Sequence, residues 1–250
     1  MSEQVTELER RGDVWVLRMC HDENRFNRAS IAALHGALDE IETTGGPAAL
    51  VTTGKGKFYS NGLDLDWLLA GGPDTDGFLP DVHRLLGRVL GLDVITVAAI
   101  NGHAFAGGAM LASAHDFRIM REDRGYWCLP EVDLGLPLTP AMYAVVAAHL
   151  PRPTVREAAL TGKRYDGPSA LAAGIVDEVA TEAEVVDRAV GLAADLAGKN
   201  RQVIAEHKRL MYGDALATCG LHPEPMPPPE RGPGPDAAQT TMTPSGPTNS

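Results

Sequence analysis

The sequence predicts a single α/β domain with stacked parallel strands, and three observations predict it. Short apolar runs of strand length recur at 14–19, 48–53 and 94–100, with a further candidate at 117–120. Between them lie stretches in which alanine and leucine recur at helical spacing, and from Pro140 onward that spacing dominates. With 250 residues, 44% hydrophobic and 22% charged, the chain can also bury one sizeable core. Strands that alternate with helices favour parallel pairing, because the chain must cross back over the sheet between neighbouring strands.

The elements follow in order. A weak strand near 5–8 precedes a buried one at 14–19, and a helix over 30–41 is ended by Gly45 and Gly46. The run at 48–53 stops at Gly54, a helix covers 82–90, and the run at 94–100 follows. A helix over 109–114 leads to the strand at 117–120. Helices are then expected over 141–150, 154–160, 169–173 and 182–211. One domain is therefore expected over 1–220, with a core to about 139 and a helical region from about 140. Beyond it the composition changes. Nine of the 18 prolines fall between Pro223 and Ser250, and no Phe, Tyr or Trp follows Tyr212. Such a segment buries too little apolar surface to offset its ordering entropy, so 221–250 is expected to be a disordered tail, a proline-rich recognition segment being the other reading.

Composition and motifs exclude several functions. A net charge of −11 gives no basic face for nucleic acid or an anionic membrane. Cys20, Cys128 and Cys219 are far apart, without a CxxC pair, and read as reduced thiols. No apolar stretch reaches the ~18 residues of a membrane span, the first 13 residues lack a signal-peptide core, and 248–250 do not match the peroxisomal address. A soluble, cytoplasmic protein is the expectation. HExxH, GxSxG, GxGxxG and P-loop patterns are missing, and the eight histidines show no metal-ligand spacing. Ser113, His115 and Asp116 lie close in sequence, but a triad is assembled in space, and packing at a helix end explains them better.

What remains is glycine at two strand–turn–helix junctions. Phe58-Tyr59-Ser60-Asn61-Gly62-Leu63-Asp64-Leu65 follows the run at 48–53, and Asn101-Gly102-His103-Ala104-Phe105-Ala106-Gly107-Gly108 follows the run at 94–100. The first N–H groups of a helix have no partner within it. Two such junctions side by side can aim two N–H donors at one oxygen, an oxyanion hole. Each turn alone reads equally as a tight bend that needs glycine for backbone reasons.

Taken together, these stretches resemble the crotonase family of enoyl-CoA hydratases and isomerases. Phe58 to Leu65 is similar to its first signature and Asn101 to Asp116 to its second. Leu129-Pro130-Glu131-Val132-Asp133-Leu134-Gly135-Leu136-Pro137 resembles the Pro-Glu element, and Thr161-Gly162 with Ala170 to Val179 a later helical landmark. The resemblance runs from about Val5 to Met211. It implies a spiral of ββα units with a C-terminal helical trimerisation region, an acyl-CoA thioester substrate, and no cofactor beyond the coenzyme A of that substrate. It further implies a homotrimer or a dimer of trimers, with 182–211 supplying much of the contact.

Carried over residue by residue, the resemblance puts the oxyanion donors on the backbone N–H groups of Asn61 and Gly107, with Gly108 the neighbour after a one-residue slip. Asp64 is read as a helix cap rather than a base. Trp67, Leu68, Met110 and Leu136 are candidates to line the acyl pocket, with core packing the alternative reading for Trp67, Leu68 and Leu136. Hydratases of the family carry two glutamates; here Glu131 holds one position and Met110 the other. A thioether cannot take a proton from water. The resemblance is therefore greatest to the Δ3,Δ2-enoyl-CoA isomerase branch, with Glu131 as the single base of a 1,3-proton shift. A hydratase recruiting another acid, and a scaffold that binds acyl-CoA without turnover, stay open.

Overall fold

Residues 5–71 and 75–225 are described by the computed structural model. Strands β1 (Thr6–Arg11) and β2 (Val14–Met19) form an antiparallel hairpin that turns at Gly12, whose φ is +62°. Helix α1 (Arg28–Thr43) opens on a capping box. Asn27 accepts the Ser30 N–H at 3.1 Å, and Ser30 Oγ accepts the Asn27 N–H at 2.8 Å. Next come β3 (Ala49–Gly54), the short β4 (Phe58–Ser60), α2 (Leu65–Ala70) and α3 (Phe78–Gly91). The pattern then repeats as β5 (Ile95–Ile100), β6 (His103–Phe105) and α4 (Gly107–Ser113). It repeats again as β7 (Phe117–Arg121), β8 (Trp127–Cys128) and α5 (Glu131–Leu134). Helices α6 (Pro140–His149), α7 (Arg152–Thr161) and α8 (Gly167–Ala172) lead to β9 (Glu178–Ala180), and α9 (Val185–Leu196) and α10 (Arg201–Thr218) follow.

The main sheet has the order β1-β2-β3-β5-β7-β9, parallel throughout after the hairpin, and a second sheet has the order β4-β6-β8. Three times the chain passes from a main-sheet strand to a short strand of the second sheet and into a helix. This is a spiral of ββα units. The near-continuous apolar runs of the main strands have a physical cause, since both sheet faces are covered. Leu17, Leu50 and Ala98 face the core formed with α1, α3, α4 and α6, while Val16, Val51, Val97 and Ala99 face Ala189 and Ala193 of α9.

The structure departs from the sequence expectations in three places. Periodicity gave no sign of the second sheet, which only the resemblance to ββα units implied, because its strands are two or three residues long. The helix expected over 182–211 is two helices, broken where Asn200 caps α10 by accepting the Val203 N–H at 3.1 Å. Helix α10 lies tight on α3, where a Cβ added to Gly87 would come within 2.6 Å of Cys219 Cβ. Lys208, only 2% exposed, ties α10 to the starts of β5 and β7 through the Val94 carbonyl at 2.9 Å and Asp116 at 2.7 Å. Leu221, expected to begin the tail, packs against the body and donates to the Leu216 carbonyl at 2.9 Å. Of the expected tail, 226–250 lies outside the described residues.

Candidate active site

The two glycine junctions meet. A Cβ added to Gly62 would lie 2.8 Å from the Gly107 nitrogen, and one added to Gly107 would lie 3.4 Å from Gly62 Cα. The turn after β4 and the start of α4 are thus in van der Waals contact. Gly62 can enter this contact because it has no side chain and can adopt a φ of +78°.

The hydrogen bonds of the turn decide which donors remain for a ligand. The Asn61 N–H donates to the Glu23 carbonyl at 3.0 Å, so it is already used within the protein. The Gly62 N–H donates to Ser60 Oγ at 3.1 Å and the Asp64 N–H to the Phe26 carbonyl at 2.9 Å. Phe26 in turn donates to the Gly62 carbonyl at 2.7 Å. This is a parallel bridge centred on Leu63, and in an extended chain successive N–H groups point to opposite sides. The Leu63 N–H therefore faces away from Phe26, without an acceptor among the described residues. The placement of a donor on Asn61 is corrected on this ground, and the free N–H of the turn is two residues later. No local pattern carries this, because it is the distant carbonyls of Glu23 and Phe26 that engage Asn61 and Asp64 and leave Leu63 free.

Gly107 is the first residue of α4, and its N–H has no acceptor among the described residues. Gly108 lies against Ser60, where an added Cβ would collide with the Ser60 carbonyl. Before them Ala106 has a φ of +50° and a ψ of −122°, a conformation that costs a non-glycine residue energy. It is held there by its N–H on the Cys128 carbonyl at 3.0 Å and by its carbonyl, which accepts the Met110 N–H at 3.0 Å. The Cys128 bond links the second junction to the strand that leads into α5.

Glu131 is the first residue of α5, three residues after the end of β8. Its Oε2 is buried and has no hydrogen-bond partner in the described structure. Burial raises its carboxyl above the ordinary range, offset only in part by its own backbone N–H. The free acceptor and the raised basicity both suit a group that must collect a proton.

The remaining candidates separate. Asp64 caps α2, its Oδ1 accepting the Trp67 N–H at 3.2 Å. Trp67 and Leu68 are partly buried against the core, and Trp67 meets Phe78 edge-on with ring centroids 4.8 Å apart. Met110 is 1% exposed and belongs to the core, whereas Leu136 is 45% exposed beyond α5. Ser113, His115 and Asp116 do not form a triad. Ser113 Oγ donates to the Ala109 carbonyl, Asp116 holds Thr96 and Lys208, and His115 Nδ1 donates to the Leu111 carbonyl at 2.8 Å. His115 Nε2 then accepts from Thr52 at 2.9 Å, and burial pushes the ring down to about 3, so it stays neutral. Among the described residues no cluster of three or more His, Cys, Asp or Glu side chains could hold a metal ion, and no helix is long and apolar enough to cross a membrane.

Comparison with known proteins converges on one group. The family model described as enoyl-CoA hydratase/isomerase matches residues 10–217. Enoyl-CoA delta isomerase 3 of Arabidopsis thaliana is 39% identical over 229 residues, which cover 86% of this chain and 94% of the relative. The peroxisomal enoyl-CoA delta isomerase 2 of the same plant is 37% identical, with coverage of 86% and 95%. Among solved structures, the probable enoyl-CoA hydratase EchA3 of Mycobacterium tuberculosis is similar with a TM-score of 0.80 and 31% identity, covering 87% of this chain and 92% of the other.

Proposed function

The chain belongs to the enoyl-CoA hydratase/isomerase family, and from that premise we propose that it is a Δ3,Δ2-enoyl-CoA isomerase with Glu131 as its one base. The family acts on acyl-CoA thioesters, so the reacting centre is a thioester carbonyl and the carbons beside it. A C2 proton of such a thioester is too weakly acidic for a carboxylate unless the enolate oxygen is stabilised. In this reading the N–H groups of Leu63 and Gly107 stabilise it, each contributing about 3 kcal/mol in a water-excluded site.

The steps balance on a single carboxylate. Glu131 takes the C2 proton of a 3-enoyl-CoA, and the C–H electrons form a dienolate whose negative charge rests on the thioester oxygen. The dienolate collapses with protonation at C4 by the same carboxyl. The double bond then lies between C2 and C3, the thioester carbonyl is restored, and Glu131 is again ionised. The observation that carries this reading is Met110, buried in the core where the family's hydratases have a second glutamate. A thioether offers neither a proton nor a strong acceptor to a water molecule. Similar solved structures are described both as hydratases and as an isomerase, so hydration is kept as the second reading.

Incubating the purified protein separately with a 3-enoyl-CoA and a 2-enoyl-CoA, and following both products, tests the assignment. Isomerisation with little hydration is expected; hydration faster than isomerisation sinks it. The same proposal includes a cytoplasmic homotrimer or dimer of trimers. Val203, Leu210 and Met211 of α10, between 39% and 65% exposed, supply apolar surface for such a contact. A monomer mass by light scattering at micromolar concentration removes that part.

A further inference from the structure

We infer that Asn24 is a positioning residue for the oxyanion hole, holding the turn that aims the Leu63 N–H; the inference rests on the donor reading given above. A donor lowers the barrier only where it sits about 2.7–3.1 Å from the position the oxyanion will occupy. The turn from Ser60 to Asp64 follows a strand of three residues, too short to fix its own course. Its shape comes from the segment Glu23 to Phe26, which lies along it.

Asn24 is the centre of that segment. It is 3% exposed and has a φ of +54°, in the left-handed region that asparagine tolerates better than most side chains. Its Nδ2 donates to the Phe58 carbonyl at 2.9 Å, at the start of β4. Its own carbonyl accepts Ser60 Oγ at 2.7 Å, at the end of β4, and that same Oγ accepts the Gly62 N–H. One residue thus grips both ends of the strand and, through Ser60, the peptide next to the Leu63 N–H. The bonds of Glu23 and Phe26 to Asn61, Gly62 and Asp64 continue the same seam.

The grip is specific to an amide on this backbone. Gly54 leaves the space for it, since a Cβ there would come within 2.8 Å of Asn24 Nδ2 and overlap the Phe58 carbonyl. Asn24 Oδ1 is buried without a partner among the described residues, so the donor end orients the side chain. Aspartate would set a carboxylate oxygen against the Phe58 carbonyl. Glycine would keep the left-handed backbone and lose the side-chain bond.

The test uses Asn24→Asp and Asn24→Gly in the full-length protein. Bound saturated acyl-CoA, labelled at the thioester carbonyl, is read by infrared difference spectroscopy, beside kcat and KM on a 3-enoyl-CoA. The wild type is expected to lower the carbonyl stretch relative to free ligand, and both variants to return it toward the free value. Displacing one donor by about an ångström should lower kcat by about 10- to 100-fold. KM should change by less than about threefold, because ground-state binding is mostly elsewhere. Glu131→Gln should keep the wild-type stretch while losing turnover, which separates donor from base. An unshifted carbonyl in the wild type overturns the donor reading and this inference with it. A shift that both folded variants retain overturns the role of Asn24 alone, whatever their rates. Should neither Asn24 variant fold, Ser60→Ala cuts the other end of the grip and decides by the same spectrum.

Discussion

Gly62 and Gly107 are packed so closely that a Cβ on Gly62 would meet the Gly107 nitrogen at 2.8 Å and the Ala106 Cβ at 2.9 Å. Both contacts are with parts of the chain that cannot rotate away. Gly62→Ala must also hold a φ of +78°, which costs an alanine about 1–2 kcal/mol before any collision. The variant should be destabilised by about 2–4 kcal/mol in total and lose at least about 100-fold in isomerisation, because the two donors are pushed apart. Thermal melting and a 3-enoyl-CoA assay check the two effects separately. An alanine variant with normal turnover would show that the junctions need not touch for catalysis.

Ala106 gives a prediction of opposite sign. Its left-handed φ, one residue before a proposed donor, is backbone strain. Ala106→Gly removes the strain, and the flanking bonds to Cys128 and Met110 use only backbone atoms. A gain of about 1 kcal/mol is expected, or roughly 2–4 °C in Tm, with turnover within about threefold of wild type. A lower Tm would mean that the methyl packing on Gly62 outweighs the strain.

Lys208 and Asp116 form a buried pair whose value lies in being whole. The lysine side chain is 3% exposed and the carboxylate 13%, and the carboxylate also accepts the Thr96 N–H at 2.8 Å. Lys208→Met keeps the apolar stem but strands a buried charge, at an expected cost of about 3–5 kcal/mol. Adding Asp116→Asn should recover part of that loss, because no uncompensated charge is then left inside. A denaturant series on the two singles and the double measures the coupling. Simple additivity would show that the pair does not hold α10 to the sheet.

The main sheet was legible because its strands are buried on both faces, and Leu50-Val51 or Ala98-Ala99 then read as continuous apolar runs. The second sheet was not, since Trp127-Cys128 is too short for any period to show. The same distinction holds at the site. The resemblance pointed to Glu131 and Gly107, and each is the first residue of a helix, a position that local sequence largely decides. The donor of the first junction could not be placed in that way. Whether Asn61 or Leu63 has a free N–H depends on which of them Glu23 and Phe26 engage, and that pairing spans more than 35 residues of sequence.

Glu131→Gln makes the last prediction, and it has two readouts of opposite direction. Burial raises the folded-state pKa of Glu131, so ionisation costs more in the folded chain than in the unfolded one. Above the unfolded value, about 4.3 for a glutamate, this charge reduces stability. Glutamine keeps the shape without the charge, so the variant should melt higher than wild type at pH 7–8. The advantage should shrink as pH falls through the raised folded-state pKa and vanish below about 4.3, where the wild-type carboxyl is neutral in both states. Turnover moves the other way. The amide cannot accept a proton at neutral pH, and a loss of about 10²–10⁴-fold in kcat is expected. Wild-type activity should itself decline on acidification at a higher pH than an ordinary glutamate would give, since the base must be ionised to begin the cycle. A variant that is both more stable and inactive fits a carboxylate kept unpaired for chemistry. Retained turnover in Glu131→Gln would remove it as the base, and an unchanged Tm would leave its burial without an energetic consequence.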